Sequence, residues 1–282
     1  MNAFTVLPMS QAINLKAGEV YEGSITVANP ADATENFEYL VSVSPYAVLD
    51  ENYTADFSSE SDWSQIVEWT TIEEPTGSLE PNEVRKVNFK ITVPETAPAG
   101  GQYAAITVRS NKEVSEGSGV SVQNVFEMAS IVFAQVEGET VHSGEVLENN
   151  IPGFSATNPV SISAKLNNSG NVHESAITSI TVKNVLTGEQ IFPSRDSGAE
   201  QYLEYIMPGT TRYLVREISG TADLGVYEVT QSISYIGETS SVTQRIIFCP
   251  IWFMVLAFMT VAALGWTIFK LIRRRKAKKA AL

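Results

Sequence analysis

The sequence predicts an all-β protein with two tandem immunoglobulin-like β-sandwich domains, followed by one transmembrane α-helix at the C-terminal end. Three observations support this fold class. Apolar and polar residues alternate along short segments bounded by turn residues. One order of turns and strands occurs twice along the chain. The 24 residues from Ile246 to Phe269 contain no Asp, Glu, Lys or Arg.

Residues 1–136 contain the first set of predicted strands. Tyr21–Ala28 alternates apolar and polar residues and ends at an Asn-Pro turn. Glu35–Val43 and Val87–Val93 show the same period of two, as expected of half-buried strands. The length and these turn-bounded strands predict one sandwich domain.

Residues 137–245 repeat this plan. Ser161–Leu166 again ends at an Asn-rich turn. A Pro turn at Met207–Gly209 opens a strand, as Leu79–Pro81 does earlier in the chain. A Gly-x-Tyr segment at Gly225–Tyr227 then begins another strand. The repetition predicts a second domain of the same architecture.

The apolar segment at residues 246–269 predicts a membrane-spanning helix. Its length corresponds to roughly 36 Å of helix against a hydrocarbon core of about 30 Å. Trp252 and Trp266 fall near its two ends, where aromatic residues mark membrane interfaces. The basic tail at residues 270–282 predicts the cytoplasmic side, which leaves residues 1–245 outside. Its cations are Lys270, Arg273, Arg274, Arg275, Lys276, Lys278 and Lys279.

The charge of the chain is divided in the same way. The whole sequence has 19 Lys and Arg against 32 Asp and Glu, and without the seven tail cations its net charge of −13 becomes −20. A strongly acidic ectodomain is a poor ligand for nucleic acid or for anionic lipid, since both would repel it.

Cys249 is the only cysteine, so an intrachain disulfide is excluded. A disulfide-free ectodomain of this size indicates a bacterial cell surface, with the helix in the cell membrane. Such a protein is expected to carry a signal peptide, and residues 1–4 have neither a basic nor an apolar signal region. Either the gene start lies further upstream, or the sequence has been trimmed to its mature part.

The sequence shows no grouping that indicates catalysis or a cofactor. His142 and His173 stand apart in predicted loops, without metal-ligand spacing. Asp50-x-Asn52-x-Thr54-x-Asp56 resembles the start of a calcium loop, but the sixth position is Ala55 and the twelfth is Ser61. We therefore predict no enzyme, no cofactor and no metal site, with a solvated acidic loop at residues 50–62.

Exposed aromatic residues are the candidate ligand-binding groups. Tyr53, Phe57 and Trp63 lie in the irregular part of the first half, where loops position binding residues. Their rings suit sugar rings or the apolar side chains of a partner. Packing against the sandwich is the alternative, and for Trp69, in a short helix or turn at residues 63–69, packing is the better interpretation.

Several motifs resemble one known family. They are Phe4–Pro8, Tyr21–Asn29, Leu79–Glu83, Val87–Pro94 and Gly100–Ile106. In these segments and in its layout the sequence resembles the WxL-interacting proteins of Gram-positive bacteria. The resemblance implies peptidoglycan binding by the first domain, and binding of host matrix proteins or partner WxL proteins by the second. No individual binding residue is carried over.

The sequence therefore predicts a non-enzymatic, membrane-anchored surface protein that contacts peptidoglycan, a surface or host protein, or both. The alternative is a chaperone-like module for secreted surface subunits, acting by β-strand addition. That function requires an uncovered edge strand, and Val120–Val136 is the candidate. Further alternatives are a surface hydrolase or its carbohydrate-binding accessory, and a purely structural spacer.

Overall fold

The computed structural model describes residues 4–110, 126–192, 201–218 and 224–280, and for residues 274–280 it describes the backbone alone. The chain forms two compact units. The first comprises Met1–Gly144 together with Asn167–Glu174 and Ile206–Arg212. The second comprises Glu145–Leu166, Ser175–Tyr205 and Tyr213–Leu282.

The first β-sandwich is built from two sheets. Its strands are β1 (Thr5–Leu7), β2 (Ser10–Leu15), β3 (Val20–Ala28), β4 (Phe37–Pro45), β5 (Ala47–Val48), β6 (Ala55–Asp56), β7 (Thr70–Ile72), β8 (Thr76–Leu79), β9 (Val84–Thr92), β10 (Gly100–Ser110) and β11 (Glu127–Val136). One sheet has the order β1-β3-β9-β7 and the other β2-β11-β10-β4-β8, while β5 and β6 form a separate pair.

Alternating residues of these strands fill one apolar core. In β9, Val87, Phe89 and Ile91 are buried while their neighbours are exposed. Burial of such side chains contributes about 1.5–3 kcal/mol each. The short helix α1 (Ile66–Trp69) adds Ile66 and Trp69 to the core, so the expectation that Trp69 packs inside is confirmed.

The second β-sandwich contains β12 (Gly144–Asn150), β13 (Phe154–Ser155), β14 (Val160–Asn168), β15 (Glu174–Asn184), β16 (Gln190–Phe192), β17 (Gln201–Ile206), β18 (Thr211–Ile218), β19 (Gly225–Tyr235) and β20 (Glu238–Phe248). A three-stranded sheet has the order β12-β14-β18. The facing sheet has the order β13-β20-β19-β15-β16, with β17 also paired to β15. Its core includes Ile162, Ile180, Val182 and Val229.

The C-terminal helix α2 runs from Ile251 to Ala280. Its part from Ile251 to Arg273 is long and apolar enough to cross a membrane. The helix begins later than the sequence predicted, because Ile246 and Phe248 are buried residues at the end of β20. Pro250 precedes the first helical residue, where a proline is tolerated since no helical N–H is required of it. The fold class is thus the predicted one, two immunoglobulin-like sandwiches and a C-terminal apolar helix.

Candidate functional site

The structure places the predicted aromatic residues in different settings within the first unit. The Tyr53 hydroxyl lies 2.6 Å from the Thr210 hydroxyl and accepts a hydrogen bond of 2.7 Å from the backbone N–H of Met207. The Arg212 guanidinium lies 4.3 Å from the centre of its ring. The polar end and one face of Tyr53 are therefore already occupied by residues of the same unit.

Phe57 and Trp63 differ in their exposure. Phe57 is exposed, and its ring centre lies 6.0 Å from that of Tyr46. Trp63 is half-buried, and its carbonyl accepts a hydrogen bond of 2.6 Å from the backbone N–H of Tyr103. These positions leave Phe57 the most accessible of the three predicted ligand-binding residues. Their binding role stays a prediction.

A chain of aromatic rings runs from half-buried Tyr46 through Phe133 and buried Tyr103 to His173. The Tyr103 hydroxyl accepts a hydrogen bond from the backbone N–H of His173 at 2.8 Å and lies 3.3 Å from the imidazole Nδ1. Burial raises the pKa of Tyr103 and lowers the pKa of His173. Tyr103 and His173 thus contact each other through this hydrogen bond and through edge-to-face packing of their rings, whose centres lie 5.7 Å apart.

Two carboxylates of the acidic loop, those of Asp50 and Asp56, accept hydrogen bonds from the loop itself. Asp50 accepts hydrogen bonds from the backbone N–H groups of Asn52 and Thr54 and from the Thr54 hydroxyl. The backbone N–H of Thr54 contributes most to lowering the pKa of Asp50. Hydrogen bonds from Ser59 and Ser58 lower the pKa of Asp56 to about 2. These oxygens cap turns of the loop, and among the described residues no group of three or more His, Cys, Asp or Glu is arranged to hold a metal ion.

The edge strand predicted at Val120–Val136 is covered over much of its length. Residues 120–125 lie outside the described residues. From Ile131 to Val136, β11 pairs with β2 in parallel as well as with β10. The prediction of an uncovered edge is therefore wrong for this part of the strand, because β2 lies in the same sheet as its outer neighbour.

An open edge occurs instead on β20, which the sequence did not predict as a strand. Its inner side pairs with β19 along all 11 residues without a register shift. On its outer side, β13 pairs only with Ile247 and Phe248. Within the described residues, no strand pairs with the outer side from Glu238 to Ile246.

The register defines which amide groups point outward. Tyr235 and Glu238 close a hairpin with two loop residues, so they form a hydrogen-bonded pair. The outward N–H and C=O groups then belong to alternate residues, namely Thr239, Ser241, Thr243 and Arg245. The N–H of Ile247, next in this series, donates to the carbonyl of Gly153 across the outer side at 3.0 Å. This bond confirms the assignment.

The solvent face beside this edge carries paired hydroxyl groups. Three cross-strand pairs lie 2.9 to 3.1 Å apart, namely Thr230–Thr243, Ser232–Ser241 and Ser234–Thr239. Such cross-strand pairs stabilise the pairing of β19 with β20. The open strand is therefore long, polar and held in one register.

Comparisons with known proteins are informative about the architecture of this chain alone. No protein-family model matches the sequence, and no curated protein does. Among solved structures, the class 5 fimbriae chaperone CfaA is similar with a TM-score of 0.40 and 13% identity, over 87% of this chain and 99% of that chain. The E. coli chaperone DraB has a TM-score of 0.38 and 14% identity, over 86% of this chain and 97% of that chain. The YadV chaperone has a TM-score of 0.41 and 8% identity, over 86% of this chain and 98% of that chain. This similarity concerns the arrangement of β-strands and says nothing of what the present chain binds.

The C-terminal helix carries the predicted anchor residues. Trp252 is its second residue, and both Trp252 and Trp266 are exposed. Their separation of 14 residues corresponds to about 21 Å of helix. Lys270 and Arg273 follow on the same helix, and the side chains of Arg274, Arg275 and Lys276 lie outside the described residues.

Proposed function

We propose that this chain is a non-enzymatic, membrane-tethered surface protein that receives an extended segment of a secreted or surface protein on the open edge of β20. The observation that carries the proposal is the outer side of that strand from Glu238 to Ile246, with which no strand in the described part of the chain pairs. A free edge displays a row of N–H and C=O groups that another chain can pair with.

The sequence of β20 lacks the usual protections of a free edge. Natural edge strands are kept apart by prolines, lysines, bulges or a very short length. β20 has 11 residues, contains neither proline nor lysine, and keeps an unbroken register with β19. Glu238 and Arg245 are the charged residues of the strand, and they lie near its two ends. The central stretch is therefore free to accept a strand.

The tether is the second part of the proposal. α2 would cross the cell membrane, with Trp252 and Trp266 near its interfaces and the basic tail in the cytoplasm. The sandwiches would then lie on the outer side, where secreted segments are available. The resemblance to WxL-interacting proteins fits such a location, and the peptidoglycan contact that it implies stays a prediction without a structural feature of its own.

Proline at an outward amide provides the test. Ser241→Pro removes an N–H that makes no ladder bond with β19, so the fold tolerates it. Ser241→Ala is the matched control, because it removes the hydroxyl and keeps the N–H. Each variant of the full-length protein is cross-linked at its cell surface, and the yield of the partner that wild type captures is measured.

We expect Ser241→Pro to reduce the yield of that partner by about tenfold, because one lost hydrogen bond and the bulk of the ring cost on the order of 1.4 kcal/mol. Ser241→Ala should retain the yield within about twofold. Equal capture by wild type and a folded Ser241→Pro protein would contradict strand addition at this edge. Sedimentation of the same proteins with insoluble peptidoglycan tests the wall contact separately.

A further inference from the structure

A row of apolar side chains, three exposed and one half-buried, crosses one end of the six-stranded sheet. Val226 pairs with Ile247, and Ile247 pairs with Phe154 on the next strand. On the other side, the N–H of Val185 donates to the carbonyl of Val226. Because paired residues point to the same face, these four side chains form one row. Phe154 and Ile247 are 53% and 52% exposed.

Two turns at the same end add further apolar surface. Leu186 follows β15 directly and is 81% exposed, and Leu224 immediately precedes β19 and is 48% exposed. Single exposed apolar residues are ordinary, but several at one end of a domain mark a contact surface. We call the set Phe154, Val185, Leu186, Leu224, Val226 and Ile247 the apolar end.

The chain connects the apolar end to α2. β20 ends at Phe248 and α2 begins at Ile251. Three Cα–Cα steps separate these residues, so they lie no more than about 11 Å apart. The interfacial region on each side of a bilayer is about 5–8 Å thick. A helix that enters the hydrocarbon near Ile251 therefore keeps Ile247 at or near the interface.

The polarity of the sheet changes stepwise away from this end. The next row on the same face contains Lys183, Glu228 and Arg245. Beyond it lie the hydroxyl rows that include Thr230 and Ser232. Away from the helix, the order is therefore apolar groups, then a charged row of two cations and Glu228, then neutral polar groups, and this order suits a membrane interface.

We infer that the apolar end of the second sandwich rests in the headgroup region of the bilayer that α2 spans. The inference depends on the proposed membrane anchoring. The net negative charge of the ectodomain does not oppose it, because the tether already holds this end at the surface and the contact is apolar, with Lys183 and Arg245 as the nearest cations.

Spin labels on the full-length protein in lipid vesicles test the inference. In a Cys249→Ser background, single labels are introduced by Leu186→Cys and Ile247→Cys at the apolar end. Ser232→Cys is the control on the same face, three rows or roughly 20 Å away along the strand. Phe258→Cys, on an exposed position within α2, reports whether the helix is inserted. Accessibility to oxygen and to a water-soluble nickel complex gives the depth of each label.

We expect the labels at Leu186 and Ile247 to have interfacial depth, with at least about a twofold lower nickel accessibility than the label at Ser232. The result should hold in phosphatidylcholine vesicles and in vesicles containing phosphatidylglycerol. If the Phe258 label lies in the hydrocarbon while the Leu186 and Ile247 labels are as accessible to nickel as the Ser232 label, the inference is wrong. The proposed membrane insertion of α2 would still be supported. A water-accessible Phe258 label would instead overturn the anchor itself, and the inference with it.

Discussion

Tyr53 holds two distant segments of the first unit together. Its backbone has a φ of 63°, a left-handed conformation that few non-glycine residues adopt. Its hydroxyl contacts Thr210 and Met207, and its ring lies beneath Arg212. A strained backbone that persists needs compensating contacts, and these three contacts provide them.

Removing the Tyr53 hydroxyl should therefore destabilise the protein. Tyr53→Phe keeps the ring and leaves the N–H of buried Met207 without its acceptor, which costs about 1–3 kcal/mol. Urea unfolding of the full-length protein in detergent measures the change. Tyr213→Phe, on an exposed tyrosine of β18, is the control and should change the free energy of unfolding by less than about 0.5 kcal/mol. Equal stability of Tyr53→Phe and wild type would contradict a structural role for this hydroxyl.

The sequence could identify Tyr53 as unusual but not as a structural contact. It stands among polar residues of an acidic loop, which is compatible with a binding residue. Its partner Thr210 lies 157 residues away, and no local pattern reports such a contact. Trp69 was easier to place, because Ile66, Val67 and Trp69 together give one apolar side to a short helix.

Strand β20 shows why an open edge is difficult to predict. A half-buried strand alternates apolar and polar residues, but an edge strand leaves even its inner face partly exposed. From Glu238 to Gln244, Val242 is the one aliphatic residue, so the alternation disappears. At its end, Ile246–Phe248 joins an apolar run that continues into α2 and extends the predicted helix backwards.

The hairpin that leads into β20 contains a residue poorly suited to its conformation. Ile236 and Gly237 have φ angles of 46° and 77°, as a two-residue turn of this kind requires. A β-branched residue is disfavoured there, and asparagine is preferred. Ile236→Asn should therefore raise the free energy of unfolding by about 1 kcal/mol, measured by urea unfolding. Gly237→Ala should lower the free energy of unfolding. If Ile236→Asn destabilised the protein, the contacts of the Ile236 side chain would contribute more to stability than its backbone strain costs.

The whole chain changes in character from one end to the other. The strongly acidic part with two sandwich cores is followed by a helix that is uncharged up to Phe269 and basic from Lys270 onwards. Composition and hydropathy were sufficient to predict this order, since each depends on many residues. The open edge and the apolar end were not predictable, because both depend on the register that places Ser241 beside Ser232 and Ile247 beside Phe154.

Amide hydrogen exchange resolved to single residues tests the proposed strand addition most directly. In the isolated full-length protein, the N–H groups of Thr239, Ser241, Thr243 and Arg245 should exchange rapidly, while those of Ser240, Val242 and Gln244 should be protected by β19. In the complex with the captured surface partner, the first group should become protected as well. A gain of protection at every second amide is specific to strand pairing along this edge. Continued rapid exchange of these four amides in a stable complex, or their protection already in the isolated protein, would contradict the account.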